Sequence, residues 1–445
     1  MSLRFLSAFV RSSNTRLRAI AGLAGVVGGL SLAALAFAGG CSDTTTATPT
    51  DGGVTGDGRA TTTSLPCDVE KVLSKNCQSC HQSPPLFGSP FPLKTREDLT
   101  VPGRIDKIIA RIHDDAKPMP PPPAARLSAA DMATLESWKA AGMPASTEAC
   151  TTPVKPTDPN KFDCTPDQHL KPSSKWTMPK DKTNAYVCFG VDITAAEKRH
   201  IIGIAPRIDN KTIVHHVLLL EAPNAESSVP HECPSGMSTT WRMVYGWAPG
   251  AEALGVPKEA GFPLEGTKHY VIQMHYNNVN ALEGEQDESG VDFCTTKELR
   301  PNDADVIAFG SVKFTIPAQA QNFTQTCDFK VPNNLPEIHA FAAMPHMHQL
   351  GKSIDTVLKS TNGSTTSLGT IPKWDFETQY WIPLDVPVKT GDTVQTTCTW
   401  TNGTNSPVSF GEKTEDEMCY SFTMYYPRIP NLVSWQLPAA VANCK

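Results

Sequence analysis

The chain has 445 residues, of which 40% are hydrophobic and 19% charged, a composition typical of a globular protein with about two to four domains. Its formal charge is −6, and the first 40 residues hold four arginines and no acidic residue, so the chain without them carries −10. Such an acidic chain lacks the basic surface that binds nucleic acids, and no nucleic-acid partner is expected.

The N-terminus has the pattern of an export signal. Residues 1–40 run from a basic flank into "AIAGLAGVVGGLSLAALAFAGG", and this run is also long enough to leave open an uncleaved membrane helix. Small residues before Cys41 resemble the lipobox of bacterial lipoproteins, although Ala38 replaces the usual leucine. Residues 41–65, rich in Thr, Gly and Asp, predict a flexible linker. We therefore expect an exported protein in the periplasm or on the surface of a Gram-negative bacterium, anchored to the outer membrane by a lipid on Cys41.

The segment "CQSCH" is the attachment signature of a c-type haem. The thiols of Cys77 and Cys80 can add to the two vinyl groups of one haem, and His81 then becomes an axial ligand. The alternative is a redox or zinc-binding CxxC pair, but the chain has no second CxxC to complete a zinc site. A covalent haem c is the prediction.

The other axial ligand is expected in the proline-rich segment "HDDAKPMPPPP". Met119 lies among these prolines, as in class I cytochromes c, and His113 is the alternative. Helical segments precede and follow the site, and Ser128 begins an S-x-x-D cap on the second. Residues 66–150 are therefore predicted to form a small all-α cytochrome c domain, with Cys67 and Cys150 at its ends forming a disulfide.

Cysteine usage supports export. The chain has 13 cysteines, and setting aside Cys41, Cys77 and Cys80 leaves ten, which suggests five disulfides in an oxidising compartment. Except for the bracketing pair, spacing alone does not fix how they pair.

Beyond residue 150, short alternating runs separated by Pro, Gly and Asn predict antiparallel β-sandwiches, and nearly 300 residues suggest two of them. Five histidines lie in these apolar runs, and neutral imidazole suits copper, zinc, iron or nickel. Met418 adds a thioether, which favours Cu(I). The five histidines are His215, His216, His275, His346 and His348. Six others are interpreted as surface or structural residues: His113, His169, His200, His231, His269 and His339.

The segments "HHVLLLEA", "GWAPGA", "QMHYNN", "HMHQLGK" and "DEMC…MYYP" resemble the copper type II, ascorbate-dependent monooxygenases. The resemblance implies a mixed multidomain fold, in which the cytochrome c domain is followed by two jelly-roll-like β-sandwiches at 151–300 and 301–445. It implies two copper ions: one held by His215, His216 and His275, and a catalytic one held by His346, His348 and Met418. It also implies four disulfides: Cys188–Cys233, Cys398–Cys419, Cys164–Cys294 and Cys327–Cys444.

The function implied by the resemblance is hydroxylation of a C–H bond with O2. The electron donor would be ascorbate, a quinol or another cytochrome, with the fused haem supplying or relaying electrons. Met344 stands where the peptide-amidating members have a carboxylate-binding arginine, and Tyr420 and Phe422 replace its Asn and Tyr helpers, which predicts a neutral, apolar or aromatic small molecule as substrate. The alternatives are an exported haem and copper electron-transfer protein without hydroxylase activity, and a copper-storage module.

Overall fold

The computed structural model describes residues 64–148, 150, 164–233, 238, 240–411, 413, 415–430, 432 and 434–445. These residues contain five α-helices and 22 β-strands. The predicted signal segment 1–40, the lipidation site Cys41 and nearly all of the linker 41–65 lie outside the described residues. In the part of the chain that is described, none of the helices has the length and apolar character needed to cross a bilayer.

The N-terminal part of the described chain is a helical unit with α1 (Cys67–Asn76), α2 (Arg96–Thr100), α3 (Arg104–His113) and α4 (Ala129–Ala140). The two helices predicted beside the CxxCH segment are α1 and α4, and they pack against each other. The Ser128 hydroxyl accepts a hydrogen bond from the Asp131 N–H at 3.0 Å, which is the predicted cap. Leu73 and Leu135 are fully buried between the helices, so this unit has a core of its own.

The next part contains β1–β11, most of which join one nine-stranded, mostly antiparallel sheet with the central order β1-β10-β3-β8-β4-β6, in which β11 pairs in parallel with β8. The strands are β1 (Gln168–Leu170), β2 (Trp176–Thr177), β3 (Asn184–Arg207), β4 (Val214–Ala222), β5 (His231–Glu232), β6 (Arg242–Trp247), β7 (Leu254–Gly255), β8 (Ala260–Asn277), β9 (Gln286–Asp287), β10 (Gly290–Thr296) and β11 (Asn302–Asp303). The sequence predicted a sandwich here. Hydrogen bonding joins most of these strands into one large sheet, with the separate β2–β9 pair, because β3 and β8 run for 24 and 18 residues and pair along most of their length.

The C-terminal part contains a four-stranded sheet in the order β12-β21-β15-β18 and a five-stranded sheet in the order β17-β16-β19-β14-β22, with β13 and β20 paired separately. The elements are β12 (Asp305–Ser311), β13 (Thr315–Ile316), β14 (Phe323–Lys330), β15 (Ile338–His346), β16 (Gly351–Lys359), β17 (Thr365–Ile371), β18 (Ile382–Val388), β19 (Thr393–Trp400), β20 (Val408–Ser409), β21 (Cys419–Tyr426), α5 (Leu437–Val441) and β22 (Asn443–Cys444). Buried residues of the two larger sheets pack into one core, as in two sheets packed face to face.

Strand β12 shows how the two β-rich parts join. Val306 and Ala308 pack into the core of the nine-stranded sheet, whereas Ile307 and Phe309 pack toward the five-stranded sheet. Alternate side chains of a strand point to opposite faces, so the four-stranded sheet is covered on both sides. One apolar core therefore continues from the first β-rich part into the second.

Five disulfides link the described cysteines, and they are the same five pairs named above: Cys67–Cys150, Cys164–Cys294, Cys188–Cys233, Cys327–Cys444 and Cys398–Cys419. The two described cysteines left free are Cys77 and Cys80. Every bridge joins residues within one of the three parts.

Candidate functional site

The first histidine cluster lies on two neighbouring strands of the nine-stranded sheet. His215 and His216 belong to β4, and His216 is directly opposite His275 of β8. Adjacent residues of a regular strand point to opposite faces, but the β4–β8 register shifts between Val214 and His216. This bulge at His215 turns both imidazoles to one side, where the ring centroids of His215 and His216 lie 4.3 Å apart. The sequence names these histidines, but the bulge is a feature of the fold.

The three imidazoles present the same type of nitrogen to one point. The His275 Nδ1 lies 3.4 Å from the Nδ1 of His215 and 3.3 Å from the Nδ1 of His216. The opposite nitrogens are occupied: His216 donates from Nε2 to the Glu377 carbonyl at 2.6 Å, and His275 donates from Nε2 to Asn184 Oδ1 at 3.1 Å. In a neutral ring the other nitrogen then carries a lone pair. Nitrogens that face one another in this way, with two of the rings fixed from behind, suit the binding of a metal cation between them.

Burial keeps these rings neutral. It lowers the pKa of His275 to about 3 and that of His216 to about 4, and it lowers the pKa of His215 well below its usual value. The neighbouring imidazoles reinforce this shift for His215 and His275, because two positive charges at this distance repel. Neutral imidazole is the form that binds a metal ion.

Glu377 joins this cluster from another part of the chain, and sequence reasoning missed it. It lies in residues 372–381, which connect β17 to β18 and which we call the bridging loop. Its Oε2 is 3.6 Å from the His215 Nδ1, and its ligand atom and those of the three histidines all lie within 4.8 Å of one another. Nothing in the local sequence "KWDFETQYW" distinguishes this glutamate from a solvated loop residue.

The second cluster lies at the end of the central strands of the four-stranded sheet. His346 is the last residue of β15, His348 follows two residues later, and their ring centroids are 5.3 Å apart. Met418 is buried and directly precedes β21. His346 pairs with Tyr420 in the β15–β21 ladder, so continuing this antiparallel register brings Met418 opposite His348. The fold thus places the three predicted ligands at one end of one strand pair.

Here the imidazoles are oriented the other way. His346 donates from Nδ1 to Gln379 Oε1 at 2.6 Å, and His348 donates from Nδ1 to the Asp416 carbonyl at 3.1 Å. Each ring therefore keeps its lone pair on Nε2. The His346 Nε2 is buried without a hydrogen-bond partner among the described residues, and burial lowers the pKa of this ring to about 3. A buried acceptor left in this way is what a missing metal ligand bond produces.

Glu417 fixes the backbone of the second cluster. Its buried carboxylate accepts hydrogen bonds from the N–H groups of His348 at 3.0 Å, Leu350 at 2.6 Å and Met418 at 3.2 Å, and from the Trp400 indole at 3.0 Å. Burial raises the pKa of Glu417 to about 7, although these four donors oppose the shift. One side chain therefore holds the segments that carry two of the three candidate ligands. The sequence shows Glu417 only as one acid in "EDEMC".

The CxxCH segment lines a cavity of about 1630 Å³. Cys77, Cys80, His81 and Met119 all contribute to its wall. The His81 Nδ1 donates to the Phe91 carbonyl at 2.8 Å, which leaves Nε2 as the nitrogen able to ligate iron. Two free thiols, an oriented imidazole and a thioether around one cavity fit a covalent haem.

The alternative axial ligand, His113, is not part of this wall. It is half-exposed, and its Nε2 lies 2.6 Å from Glu136 Oε1. Four more of the histidines interpreted as structural contact a carboxylate, and His231 contacts the Val229 carbonyl at 3.0 Å. These four pairs are His169–Asp292, His200–Asp303, His269–Asp192 and His339–Asp385.

The cavity is shared between the helical unit and the β-rich parts. Its wall also includes His215 and Trp247 from the nine-stranded sheet and Glu377 from the bridging loop. The Phe87 ring packs edge-on against Trp247 with centroids 5.8 Å apart, and the Phe87 N–H donates to the Lys211 carbonyl at 2.5 Å. The helical unit is therefore placed directly beside the three-histidine cluster.

Comparison with known families agrees with this arrangement. Residues 172–283 match the N-terminal domain of the copper type II ascorbate-dependent monooxygenases, and residues 302–436 match the C-terminal domain of the same family. Together these segments include both histidine clusters and Met418. The helical unit lies outside both matches.

Several curated relatives are similar over the same region. A human DBH-like monooxygenase protein 1 is 30% identical over 264 residues, covering 52% of this chain and 43% of that protein. Rat dopamine beta-hydroxylase is 28% identical and covers 62% and 47%, and Xenopus laevis peptidyl-glycine alpha-amidating monooxygenase A is 28% identical and covers 55% and 26%. The match thus spans less than half the length of each relative. With both domain types in order over more than half of its residues, the chain belongs to the copper type II ascorbate-dependent monooxygenase family.

Proposed function

We propose that this protein is a copper-dependent monooxygenase that hydroxylates a C–H bond of a small organic molecule with O2 and a reductant. The observation that carries the proposal is the pair of imidazole clusters, in each of which hydrogen bonds on two rings leave the lone pair on the opposite nitrogen, Nδ1 in the first cluster and Nε2 in the second. When bound, copper would supply the one-electron chemistry by which dioxygen is reduced and the C–H bond attacked.

His215, His216 and His275 would hold the electron-transfer copper. Ligand nitrogens at about 2.0–2.1 Å from one tetrahedral metal lie about 3.3–3.4 Å apart, and the Nδ1 separations here are 3.3 and 3.4 Å. The site is thus already organised, with Asn184 and the Glu377 carbonyl fixing which nitrogen faces inward. An all-imidazole set accommodates both Cu(I) and Cu(II).

His346, His348 and Met418 would hold the catalytic copper. The thioether makes this set softer than the first and favours Cu(I), the state that reacts with dioxygen. Three protein ligands leave a coordination position open for a small molecule. Gln379 and the Asp416 carbonyl orient the two imidazoles, and Glu417 holds the backbone at His348 and Met418.

The residues around the second cluster support a substrate without a carboxylate. Met344 and Phe422 are directly opposite in the β15–β21 ladder, and both are buried in the continuous apolar core. The Phe422 ring lies 5.5 Å from the His346 ring, and Tyr420 lies a further 5.5 Å from Phe422. A carboxylate placed here would lose its hydration without gaining a cationic partner. The proposed substrate is a neutral, apolar or aromatic small molecule.

The helical unit at 66–150 would carry haem c on Cys77 and Cys80, with His81 and Met119 as axial ligands. The shared cavity supports a relay, because its wall contains these four residues and also His215 of the three-histidine cluster. A tethered haem beside the first cluster would act at high effective concentration. It would pass electrons from ascorbate, a quinol or another cytochrome toward the copper sites.

The remaining proposals concern location and organisation. Five disulfides support an oxidising compartment, and the N-terminal segment supports export to the periplasm or cell surface with lipidation at Cys41. We propose that copper monooxygenase domains at 151–300 and 301–445 follow the haem domain. The continuous core supports close packing of these two domains against each other.

The second candidate function is an exported haem and copper electron-transfer protein without hydroxylase activity. The shared cavity favours it as well, because a haem beside His215 serves either function. The two candidates differ at the second cluster, which a simple relay does not need.

The experiment that separates the candidates uses copper-loaded protein and a panel of small neutral substrates. For the monooxygenase we expect oxygen uptake and a product heavier by one oxygen atom, labelled when ¹⁸O2 is supplied. His348→Ala should abolish product while the haem spectrum and its reduction are retained, and His339→Ala, at a histidine paired with Asp385, serves as the matched control. Rapid mixing of pre-reduced haem with O2 tests the relay: haem reoxidation should accelerate only when copper and substrate are both present. If the parent protein forms no labelled product, the monooxygenase proposal is wrong and the electron-transfer function is the one that stands.

A further inference from the structure

We propose that Glu377 provides a fourth ligand, a carboxylate oxygen, to the copper held by His215, His216 and His275. The three histidines belong to the nine-stranded sheet, whereas Glu377 belongs to the bridging loop of the C-terminal sheets. The copper would therefore be bound between two domains. This inference rests on the proposed function and adds to it a ligand that neither the sequence motifs nor the family resemblance indicates.

The geometry at the first cluster carries the inference. The Glu377 Oε2 is 3.6 Å from the His215 Nδ1, which is close to the 3.4 and 3.3 Å that separate the His275 Nδ1 from the other two Nδ1 atoms. All four ligand atoms lie within 4.8 Å of one another, so a small movement of the Glu377 side chain would bring all of them to one ion. Among the described residues, no lysine or arginine side chain lies within 4.0 Å of this carboxylate to compete for it.

The backbone of Glu377 is held at the cluster. Its carbonyl accepts the 2.6 Å hydrogen bond from His216 Nε2, and its N–H donates to Asp375 Oδ1 at 3.2 Å. Because the backbone of Glu377 is fixed against a ligand ring, only the side-chain torsions of Glu377 must be ordered for its carboxylate to reach the ion. The same residue thus orients one histidine through its carbonyl and faces another through its carboxylate.

The loop is also anchored to the second cluster. Trp374 donates from its indole N–H to the His348 carbonyl at 2.9 Å, and Gln379 accepts from His346 at 2.6 Å. On the other side Lys373 lies 3.3 Å from Asp115 of the helical unit. The bridging loop therefore contacts both histidine clusters and the helical unit, and its position at Glu377 is fixed from both ends.

The charge of the copper ion favours a carboxylate ligand when the copper is Cu(II). Three neutral imidazoles leave the full charge of Cu(II) in a largely buried place, and one carboxylate reduces it. A set of three nitrogens and one oxygen matches the N,O preference of Cu(II), whereas Cu(I) prefers softer or fewer ligands. Glu377 would therefore strengthen Cu(II) binding and lower the reduction potential of the first site. A lower potential makes that copper a better donor to the second site.

The test compares Glu377→Gln with the parent in a His348→Ala background, in which one copper is expected to bind per chain. Cu(II) affinity is measured by chelator competition, the ligand field by EPR spectroscopy, and the Cu(II)/Cu(I) potential by titration. We expect Glu377→Gln to weaken Cu(II) binding about tenfold, to leave Cu(I) binding unchanged and so to raise the potential by about 59 mV. The parallel EPR parameters should move toward those of an all-nitrogen site.

The matched control is Asp375→Asn on the same loop. It removes the same charge, but its Oδ1 can still accept from the Glu377 N–H, so the loop keeps its turn. It should leave the EPR spectrum and affinity unchanged. Thermal unfolding of the copper-free variants establishes that each is folded, and Cu(II) should raise the unfolding temperature of the parent more than that of Glu377→Gln.

Two results would overturn the inference, and they are distinguishable. If the parent binds one Cu(II) through three imidazoles and Glu377→Gln has the same spectrum and affinity, the fourth ligand is refuted while the proposed copper site stands. If the parent binds no Cu(II) at the three histidines, the proposed function fails together with this inference.

Discussion

The two histidine clusters orient their imidazoles by different means and present different ring nitrogens. The first lies near the start of β4 and the end of β8 and presents Nδ1 atoms, and a β-bulge compensates for the adjacency of His215 and His216. The second sits at the end of β15 and beside β21, and it presents Nε2 atoms. In the first, the sheet itself fixes the separation of the rings. In the second, a buried carboxylate and a loop amide do so, which makes the second cluster more dependent on residues that are not ligands.

The largest expected effect is at Glu417. Replacing Glu417→Leu leaves four buried N–H donors without an acceptor, including those of His348 and Trp400. We expect the free energy of unfolding to fall by about 3 kcal/mol or more, and the second copper to be lost while the first is retained. Urea denaturation and copper-to-protein stoichiometry measure the two effects.

Glu337→Leu is the control for this substitution, since that carboxylate is exposed and 3.9 Å from Lys389. It should change stability by no more than about 0.5 kcal/mol. Loss of both copper ions in Glu417→Leu would show that the clusters are not independent, and the contrast drawn between them would be wrong.

An intermediate effect is expected at the amides that orient the rings. Asn184→Ala removes the acceptor for His275, and Gln379→Ala removes the acceptor for His346. Each should weaken copper binding at its own cluster by about 10–100-fold and leave the other cluster unchanged. Chelator competition with EPR detection resolves the two sites, and a reciprocal effect at the other site would contradict the prediction.

The smallest effect is expected where an aromatic ring supports an imidazole. Tyr186 stacks on His275 with centroids 4.4 Å apart and an interplanar angle of 3°, whereas Phe422 meets His346 at 5.5 Å and 48°. Tyr186→Leu should weaken copper binding at the first cluster by about 0.5–1.5 kcal/mol. Phe422→Leu serves as the counterpart and should change affinity at the second cluster less, because its ring does not stack. If isothermal titration shows that the two substitutions weaken copper binding equally, the stacked ring of Tyr186 contributes no more than the tilted ring of Phe422, and the prediction is wrong.

Much of the fold followed from local patterns. Alternating apolar runs predicted the strands that carry His275 and His346, and the cap at Ser128 predicted the start of α4. How the two predicted sandwiches meet did not follow from such patterns, because β12 packs into two cores rather than against one core and solvent. The continuous apolar run of β12 indicates that both of its faces are buried, but it does not indicate which layer covers each face.

The sequence by itself determined the ligand types, the CxxCH segment and the ten paired cysteines, because these depend on residue identity and on motifs that a short stretch of chain contains. Tertiary structure alone decided which imidazole nitrogen faces inward, that Glu417 holds the second cluster, and that Glu377 lies beside the first. Those contacts join residues as far as 161 positions apart, and no local periodicity marks them. They arise because packing of three sheets brings one loop against both clusters, and only the folded chain fixes that position.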